Sequence, residues 1–550
     1  MLASLLLVVA IAPIVPGDTV PLYTNLGDHH YGITTRVPRA QQYFNQGLRL
    51  YYAFNHAEAI RAFREAQRLD ATCAMCYWGE ALAWGPNINL PMDSAAGVAA
   101  HAAVVRARAA QGSATPRERA LIAALATRYA PVPPADRASL DSAYARAMGQ
   151  VARRFADDPE PVVLHAEALM VLRPWDYWTP GGTPHPGMSA AFAALERVQR
   201  SRPSHPGACH FYIHAVEAVF PERAVACAER LASLMPGAGH LVHMPGHIYI
   251  RVGRYVDAIH ANEHAVHADE RYLRDQRPGT GIYTLGYYPH NFDFLAFAAA
   301  MAGRSQQALE AADQLAALAA PSMGEPGMAF TQHHATRALQ LRIRFGRWDE
   351  ILSAPAPDAS HPHARALWHY ARGRALAATG RPAEAEPDLR ALRAAAEDPR
   401  LQGVRLEFNE SPAILRVAAE VLAGQIAAAR REYPAAIDHL IRAVRQEDAL
   451  GYGEPPDWTV PVRHDLGAVL LAAGRPAQAE LVFREDLRRF PKNGWSLRGL
   501  AQALEEQGWV ADAARARDAY RQAWAESDLI VAVGEEVDGV RTKVRGPAGR

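Results

Sequence analysis

Four histidine-bearing segments crowd the middle of this 550-residue chain. CHFYIH carries Cys209, His210 and His214, and GHLVHMPGHIY carries His240, His243 and His247. YYPHN supplies His290 and Asn291, and TQHHA supplies His333 and His334. Imidazole is the commonest protein metal ligand and titrates near neutrality. A His-x3-His pair on a helix presents two rings on one face, one turn apart. The set therefore points to a transition metal held by His210, His214, His243 and His247, with His240, His290 and His333 as further ligands. A polar ligand groove and plain helix packing are the alternatives. Oxygen ligands are sparse beside these histidines, which favours Zn, Cu or Fe over Ca or Mg. The acids nearest them are Glu217, Asp293 and Glu263, with Glu167 beside His165. Glu217 follows His214 by three residues and can share its helix face. Activation of a bound water and oxygen chemistry at a redox metal both stay open.

The positioning elements are helical repeats. YFNQGLRLYYAFNHAEAIRAFREAQRLDA places Gly47, Ala59, Phe63 and Ala66 at the spacings where small and aromatic residues interlock two antiparallel helices of a ~34-residue unit. Gly467, Gly474, Ala479 and Phe483 repeat that grammar, and Gly-Arg turns such as GRY, GRS, GRW and GRP recur between helices. The chain resembles the tetratricopeptide repeat (TPR) superfamily over roughly residues 40–525. That resemblance implies an all-α, TPR-type solenoid, a right-handed superhelix of antiparallel helix pairs, and no particular activity. It also implies that the first helix of each unit lines a concave groove. His240, His243 and His247 then face the groove at positions 2, 5 and 9 of one unit, and His290 and His333 stand at position 2 of two later ones. His210 and His214 fall one step round the preceding helix. Cys209 and Cys227 lie on the two helices of one unit, near enough to form a disulfide. Cys73 and Cys76 form a CxxC that reads equally as redox pair, half a zinc site, local disulfide or packing residues.

GDHHYGIT, CAMCYWGEALAWGPNIN and YYPHN resemble segments of exported bacterial TPR proteins described by their repeats. They are also similar to tetratricopeptide repeat protein 38-like proteins. Neither resemblance implies a reaction. His29 and His30 precede the first repeat with no position assigned by the sequence.

Insertions interrupt the repeats at GPNINLPM, LRPWDYWTPGGTPHPGM and RPGTGIYTLGYYPHN. Such insertions gather on one face of a solenoid, often the binding face. Trp175, Trp178, Tyr287, Tyr288, Asn291 and Glu217 are thus expected to line a ligand groove. The alternative is that the aromatic rings seal helix ends. His260, His264 and His267 read as a solvated face, and His361, His363 and His369 as surface residues.

Residues 1–17 have the length and apolarity of a signal-peptide core, with cleavage expected before Asp18. The domain reading is then an extended segment over 18–39, a histidine-bearing array over 40–335, a second array over 336–530 and a flexible tail over 531–550. One continuous superhelix is expected, with no other stretch apolar enough to span a bilayer. Location is expected to be periplasmic or extracellular. Formal net charge is zero and no basic stripe is present, so nucleic acid is not an expected partner. The chain has no GxSxG elbow, Walker loop, GxGxxG after a strand, or HExxH. Three readings compete: a metal-binding solenoid, a scaffold gripping a peptide or envelope protein, and a building block that stacks into oligomers or filaments. Elemental analysis, an Asn/Lys/Arg-lined groove (Arg374, Arg463) and an uncapped apolar terminal repeat respectively distinguish them.

Overall fold

The computed structural model describes residues 20–179 and 181–529. The expected signal segment and the expected tail from 531 lie outside the described residues. The described chain is all-α and folds as helix pairs of TPR type. The local cause is visible at both ends. A Cβ at Gly47 or Gly79 would run into the Phe63 ring, and one at Gly467 or Gly499 into the Phe483 ring. Each buried phenylalanine of a second helix is therefore clamped between glycines of the first helices on either side of it. Gly467→Val is expected to destabilise the chain by about 1–3 kcal/mol through overpacking. Urea unfolding would show it as a lowered midpoint at unchanged slope.

The described residues gather into two compact units, one of residues up to 248 with 263–288, and one of 249–262 with residues from 289 onward. This division lies upstream of the 335/336 boundary read from the sequence.

In the first unit the helices are α1 (Pro38–Tyr52), α2 (His56–Leu69), α3 (Ala74–Ala83), α4 (Ser94–Ala110), α5 (Pro116–Ala126), α6 (Ala138–Arg154), α7 (Pro159–Val171), α8 (Met188–Ser201), α9 (Pro206–Val216), α10 (Val225–Leu234) and α11 (Gly239–His243). Each packs on its successor, and α1 returns to touch α9. Gly207 permits that approach, because a Cβ there would enter the Tyr52 ring. Residues 20–37 strap across the early helices. Thr34 donates to Glu118 through both its N–H (2.6 Å) and its hydroxyl (2.6 Å), and the Arg49 guanidinium donates to the His29 carbonyl (2.7 Å).

The chain continues through α12 (Pro245–Arg251) and α13 (Tyr255–Gln276). His260, His264 and His267 on α13 are exposed, as expected. The second unit contains α14 (Tyr288–Met301), α15 (Ser305–Ala319), α16 (Ala329–Arg344), α17 (Trp348–Ser353), α18 (Pro362–Ala378), α19 (Glu386–Ala396), α20 (Ser411–Ala429), α21 (Tyr433–Asp448), α22 (Val462–Ala472), α23 (Pro476–Arg489), α24 (Gly494–Glu506) and α25 (Val510–Ala523). Its last pair comes back to its first: Trp495 and Trp524 donate their indole N–H to the Ala300 and Met301 carbonyls (2.9 and 3.0 Å). Asp528 accepts from the Ser305 and Gln306 N–H groups at the start of α15 (2.7 and 2.9 Å). Helix α20 is long and apolar enough to cross a membrane, contrary to expectation, but 67% of its apolar window is buried inside the protein. It is a core helix packed on α18 and α21.

All four cysteines are paired. Cys209–Cys227 joins α9 to α10 with a Cα separation of 5.2 Å, inside the disulfide range. Cys73–Cys76 closes locally at 5.4 Å, which settles the CxxC as a local disulfide and leaves no thiolate for zinc. The Cys209→Ser, Cys227→Ser double variant is expected to lose about 3 kcal/mol, the chain-entropy worth of a short closed loop.

Candidate metal centre

Five of the seven predicted metal histidines meet inside the first unit. His210 and His214 come from α9, His240 and His243 from α11, and His247 from the start of α12. All five are buried. One ring nitrogen from each of His210, His214 and His240 lies within 4.8 Å of the other two. The Nε2 atoms of His210 and His240 are 3.2 Å apart, and those of His243 and His247 are 2.9 Å apart. Two imidazoles bound to one ion at ~2.0–2.1 Å have their nitrogens about 3 Å apart, so these spacings suit coordination.

The partners on the far side of the rings decide which nitrogen is available. His210 Nδ1 donates to the Tyr52 carbonyl (2.6 Å). His214 Nδ1 donates to one oxygen of Glu217 (3.2 Å), and His247 Nδ1 to the other (2.9 Å). A carbonyl and an ionised carboxylate only accept, so all three Nδ1 atoms must carry the hydrogen. Each Nε2 is thereby left as a lone pair. Carboxylate and carbonyl acceptors behind histidine are the usual orienting shell of a metal site.

Burial favours the neutral form of His210, His214 and His240. Burial, then the neighbouring imidazoles, hold His210 and His240 well below the usual histidine range. Burial also lowers His214, against the pull of Glu217. Burial opposes ionisation of Glu217, yet His247 and His214 hold it down to about 2. One buried negative charge thus sits behind the cluster.

Aromatic rings wall the cluster in. Phe54 packs on His210 at 4.4 Å between centroids and stacks on His240 at 5.4 Å. Trp175 meets His214 at 5.1 Å, and Tyr287 meets His240 at 4.6 Å. Phe54 and Trp175 both have left-handed backbones, φ 56° and 64°. Non-glycine residues hold that conformation at a cost, and such strain collects at functional sites. Tyr287 ends a π-helical turn, Tyr283–Tyr287, another feature common at such sites. The insertion loops bring Trp175 and Tyr287 against the histidines. Phe54 and Tyr52 were not legible as site residues, because nothing in YYAFNH marks a left-handed turn or a carbonyl aimed at α9.

Trp178, Tyr288 and His333 do not join. Trp178 donates to the Ala215 carbonyl (2.8 Å) and lies between Phe192 and Phe220, so it seals helix ends. Tyr288 is half-buried, pushed up to about 12 by burial and by Glu270 and Asp269. His290, Asn291 and His333 belong to the second unit. There the His290 ring packs on Phe294 (5.0 Å). His333 has both nitrogens taken, by His363 Nε2 (3.1 Å) and the Asp457 carbonyl (2.9 Å), and so offers no free ligand atom. His363 is buried, not on the surface, and is held by Ser411 (2.8 Å). Arg374 and Arg463, the residues a peptide groove would use, are engaged by Asp465 (3.1 Å) and Asp448 (2.7 Å).

The N-terminal strap builds a second cluster, which the sequence left unplaced. His29 Nε2 lies 2.7 Å and His205 Nε2 3.4 Å from the same oxygen of Glu160, and the Tyr52 hydroxyl donates to that carboxylate. His205 Nδ1 accepts from the Ala208 N–H at the start of α9 (3.1 Å), so its Nε2 carries the hydrogen. That nitrogen faces Glu160 as a donor, not as a metal ligand. The cluster clamps a buried carboxylate and fixes Tyr52, whose carbonyl orients His210. His30 turns to Asn45 (2.8 Å).

No family model and no curated protein matches the chain. Two solved structures of human IFIT1 dimers are similar to it, one with m7Gppp-AAAA and one with PPP-AAAA. The TM-scores are 0.31 and 0.29, at 13% and 12% identity. The matches cover 89% and 87% of this chain and 91% and 89% of those chains. Likeness at that score carries no argument about what this chain binds.

Proposed function

We propose that this chain is an exported helical-repeat protein whose first unit binds a transition metal ion, zinc, copper or iron, between His210, His214 and His240. The carrying observation is the enforced tautomer. Tyr52 and Glu217 take the Nδ1 hydrogens of His210, His214 and His247, which leaves an Nε2 lone pair on each of these rings in a buried, aromatic-walled space. The His210 lone pair lies 3.2 Å from His240 Nε2, a spacing that a shared cation fits, and burial favours the neutral form of both rings. His243 and His247 stand beside the ion as a further imidazole pair. Three histidine ligands leave a coordination position open, as in catalytic sites. An ion there supplies Lewis-acid polarisation or an activated water. The nitrogen-only donor set, with every cysteine in a disulfide, selects against Ca and Mg.

X-ray absorption on zinc-loaded protein tests the donor set. The expected first shell is nitrogen at about 2.0–2.1 Å with no sulfur; an all-oxygen shell contradicts it. Protons compete for the same lone pairs, so affinity is expected to fall as pH falls through the acid range.

Export rests on the signal-like segment and agrees with two disulfides, which persist in oxidising compartments. N-terminal sequencing of secreted or periplasmic protein should begin near Asp18, and recovery of Met1 would remove this part.

A further inference from the structure

The second unit has a cavity of its own, about 250 Å³ in volume. The connection between α21 and α22, residues 449–461, supplies much of its wall. Elsewhere short Gly-Arg turns join the helices, but ALGYGEPPDWTVP is long and rich in glycine and proline. A connection of that length is uncommon in a compact domain and is usually functional when ordered. Asn409 orders it from the N-terminal side of α20. Its side chain accepts from the Gly451 N–H (2.7 Å) and donates to the Gly451 carbonyl (3.2 Å) and to Asp457 Oδ2 (2.8 Å).

Carboxylates outnumber cations around this space. Arg251, Arg463 and Arg489 line it, against Glu447, Asp448, Glu454 and Asp457. The arginines are already committed. Arg463 and Arg489 both reach Asp448 (2.7 and 2.9 Å), and Arg251 Nε approaches Glu454 (3.5 Å). Glu447 has a 3.9 Å approach to Arg463 and accepts from the Val462 N–H. Asp457 is buried, gives Oδ2 to Asn409 and leaves Oδ1 without a hydrogen-bond partner. The buried Trp458 indole N–H has none either. Glu447 and Asp448 also end α21, where the helix dipole adds negative potential. Burial raises Glu447 to about 8, against the pull of Arg463 and the Val462 N–H and with Asp486 and Asp448 adding to the rise. Burial raises Asp457 to about 6, with Glu407 and Asp293 adding to the rise and Asn409 and Arg337 opposing it. Both carboxylates are thus short of positive charge.

We infer that this cavity binds a small organic ammonium ion, which donates to Asp457 and whose charge balances the fourth carboxylate. The inference is independent of the metal reading. An anion would add to the carboxylate excess. An inorganic cation suits the site less well: among the described residues, no grouping of three side chains close enough to share one ion includes these carboxylates. The walls fit the body of an organic cation. Tyr452, Trp458 and Phe490 line the cavity together with Ile250 and Leu450. Aromatic faces attract a cation, and apolar walls shed water from its hydrocarbon part. Trp458 is held in place against Tyr370, 5.3 Å between ring centroids. Its indole N–H adds a donor for an oxygen on the same guest. Pockets for drug-sized ligands run from about 300 to 1,000 Å³, so the guest here is smaller.

The test is calorimetric titration of the full chain with benzylamine, which is protonated near neutrality. Benzyl alcohol and benzoate serve as controls of similar size, and calcium as the inorganic competitor. Benzylammonium should bind at least ~10-fold more tightly than either control, and equimolar calcium should not displace it. Asp457→Asn should weaken benzylammonium roughly 10–100-fold and leave benzyl alcohol unchanged. The amide keeps an oxygen for Asn409 and presents N–H groups in place of Oδ1. If that variant does not fold, Glu447→Gln decides. It keeps an oxygen for the Val462 N–H, removes one negative charge and should weaken benzylammonium roughly 10-fold. Equal affinity for benzylammonium and benzyl alcohol, tighter binding of benzoate, displacement by calcium, or wild-type affinity in a folded variant overturns the inference. Each of these results leaves the metal reading untouched, because the histidines belong to the first unit.

Discussion

Changing His210 and His214 together to alanine is expected to weaken zinc binding by at least ~1,000-fold while leaving the helical circular dichroism spectrum intact. Removing even an orienting acceptor behind a ligand costs ~10–100-fold, and this change removes two ligands. Alanine is the best helix former, so α9 itself survives. Glu217→Gln should fall in the smaller, 10–100-fold range, because the amide cannot accept from both His214 and His247 in the same way. The order of effects matters. A cluster that merely packed would lose stability on the double change and show no graded loss of metal affinity. His243→Ala with His247→Ala should weaken binding less than the His210, His214 change, since those rings flank the ion.

The largest stability effect is expected in the second unit, at Asp293→Ala. Asp293 and Arg337 are both buried, and the guanidinium reaches the carboxylate through Nε and Nη2 at 2.6 Å each. Arg337 Nη1 also donates to Thr459. Deleting the carboxylate strands a cation in the core, at a cost of about 3–5 kcal/mol. The Asp293→Ala, Arg337→Leu double variant should recover most of that, because it removes both charges. Chemical denaturation of the three variants measures the difference. A double variant no more stable than Asp293→Ala alone would mean that packing, not charge, set the loss.

Another ion pair of this unit, buried at His334 and partly exposed at Glu407, gives a pH signature. His334 Nε2 lies 2.9 Å from Glu407. Burial opposes both charges, yet the pair lowers Glu407 to about 2 and raises His334. The Glu407 contribution is present above the ordinary carboxylate range and is lost as pH falls toward 2. The His334 contribution is present below the ordinary histidine range and is lost as pH rises through its raised value. Stability gained from the pair is therefore expected to be greatest between about pH 5 and 6.5, and Glu407→Gln should flatten that maximum.

What could be read from the sequence was what helical period and repeat phase control. Gly47, Phe63, Gly467 and Phe483 announced the helix pairs, because their spacing is set within one repeat. His210, His214, His240, His243 and His247 were legible for the same reason: two His-x3-His faces on successive first helices have few places to point but toward each other. Glu217 was noticed by its three-residue offset from His214. Its engagement of His247 as well depends on how two helices cross, which spacing does not encode. His333 illustrates the opposite failure. Repeat position 2 put it at a groove, but His363 and the Asp457 carbonyl arrive from distant sequence and use both its nitrogens. His29 reaches Glu160 only because residues 20–37 strap back over the early helices, and an irregular strap has no periodicity to read.

Elemental analysis of the mature chain purified without chelator tests the central claim most directly. About one equivalent of zinc, copper or iron per chain is expected in the wild type, removable by chelation with a fall in melting temperature, and absent from the His210→Ala, His214→Ala variant. A wild-type chain that carries no transition metal and gains none on incubation with zinc, copper or iron, or a double variant that keeps the full complement, would contradict the account.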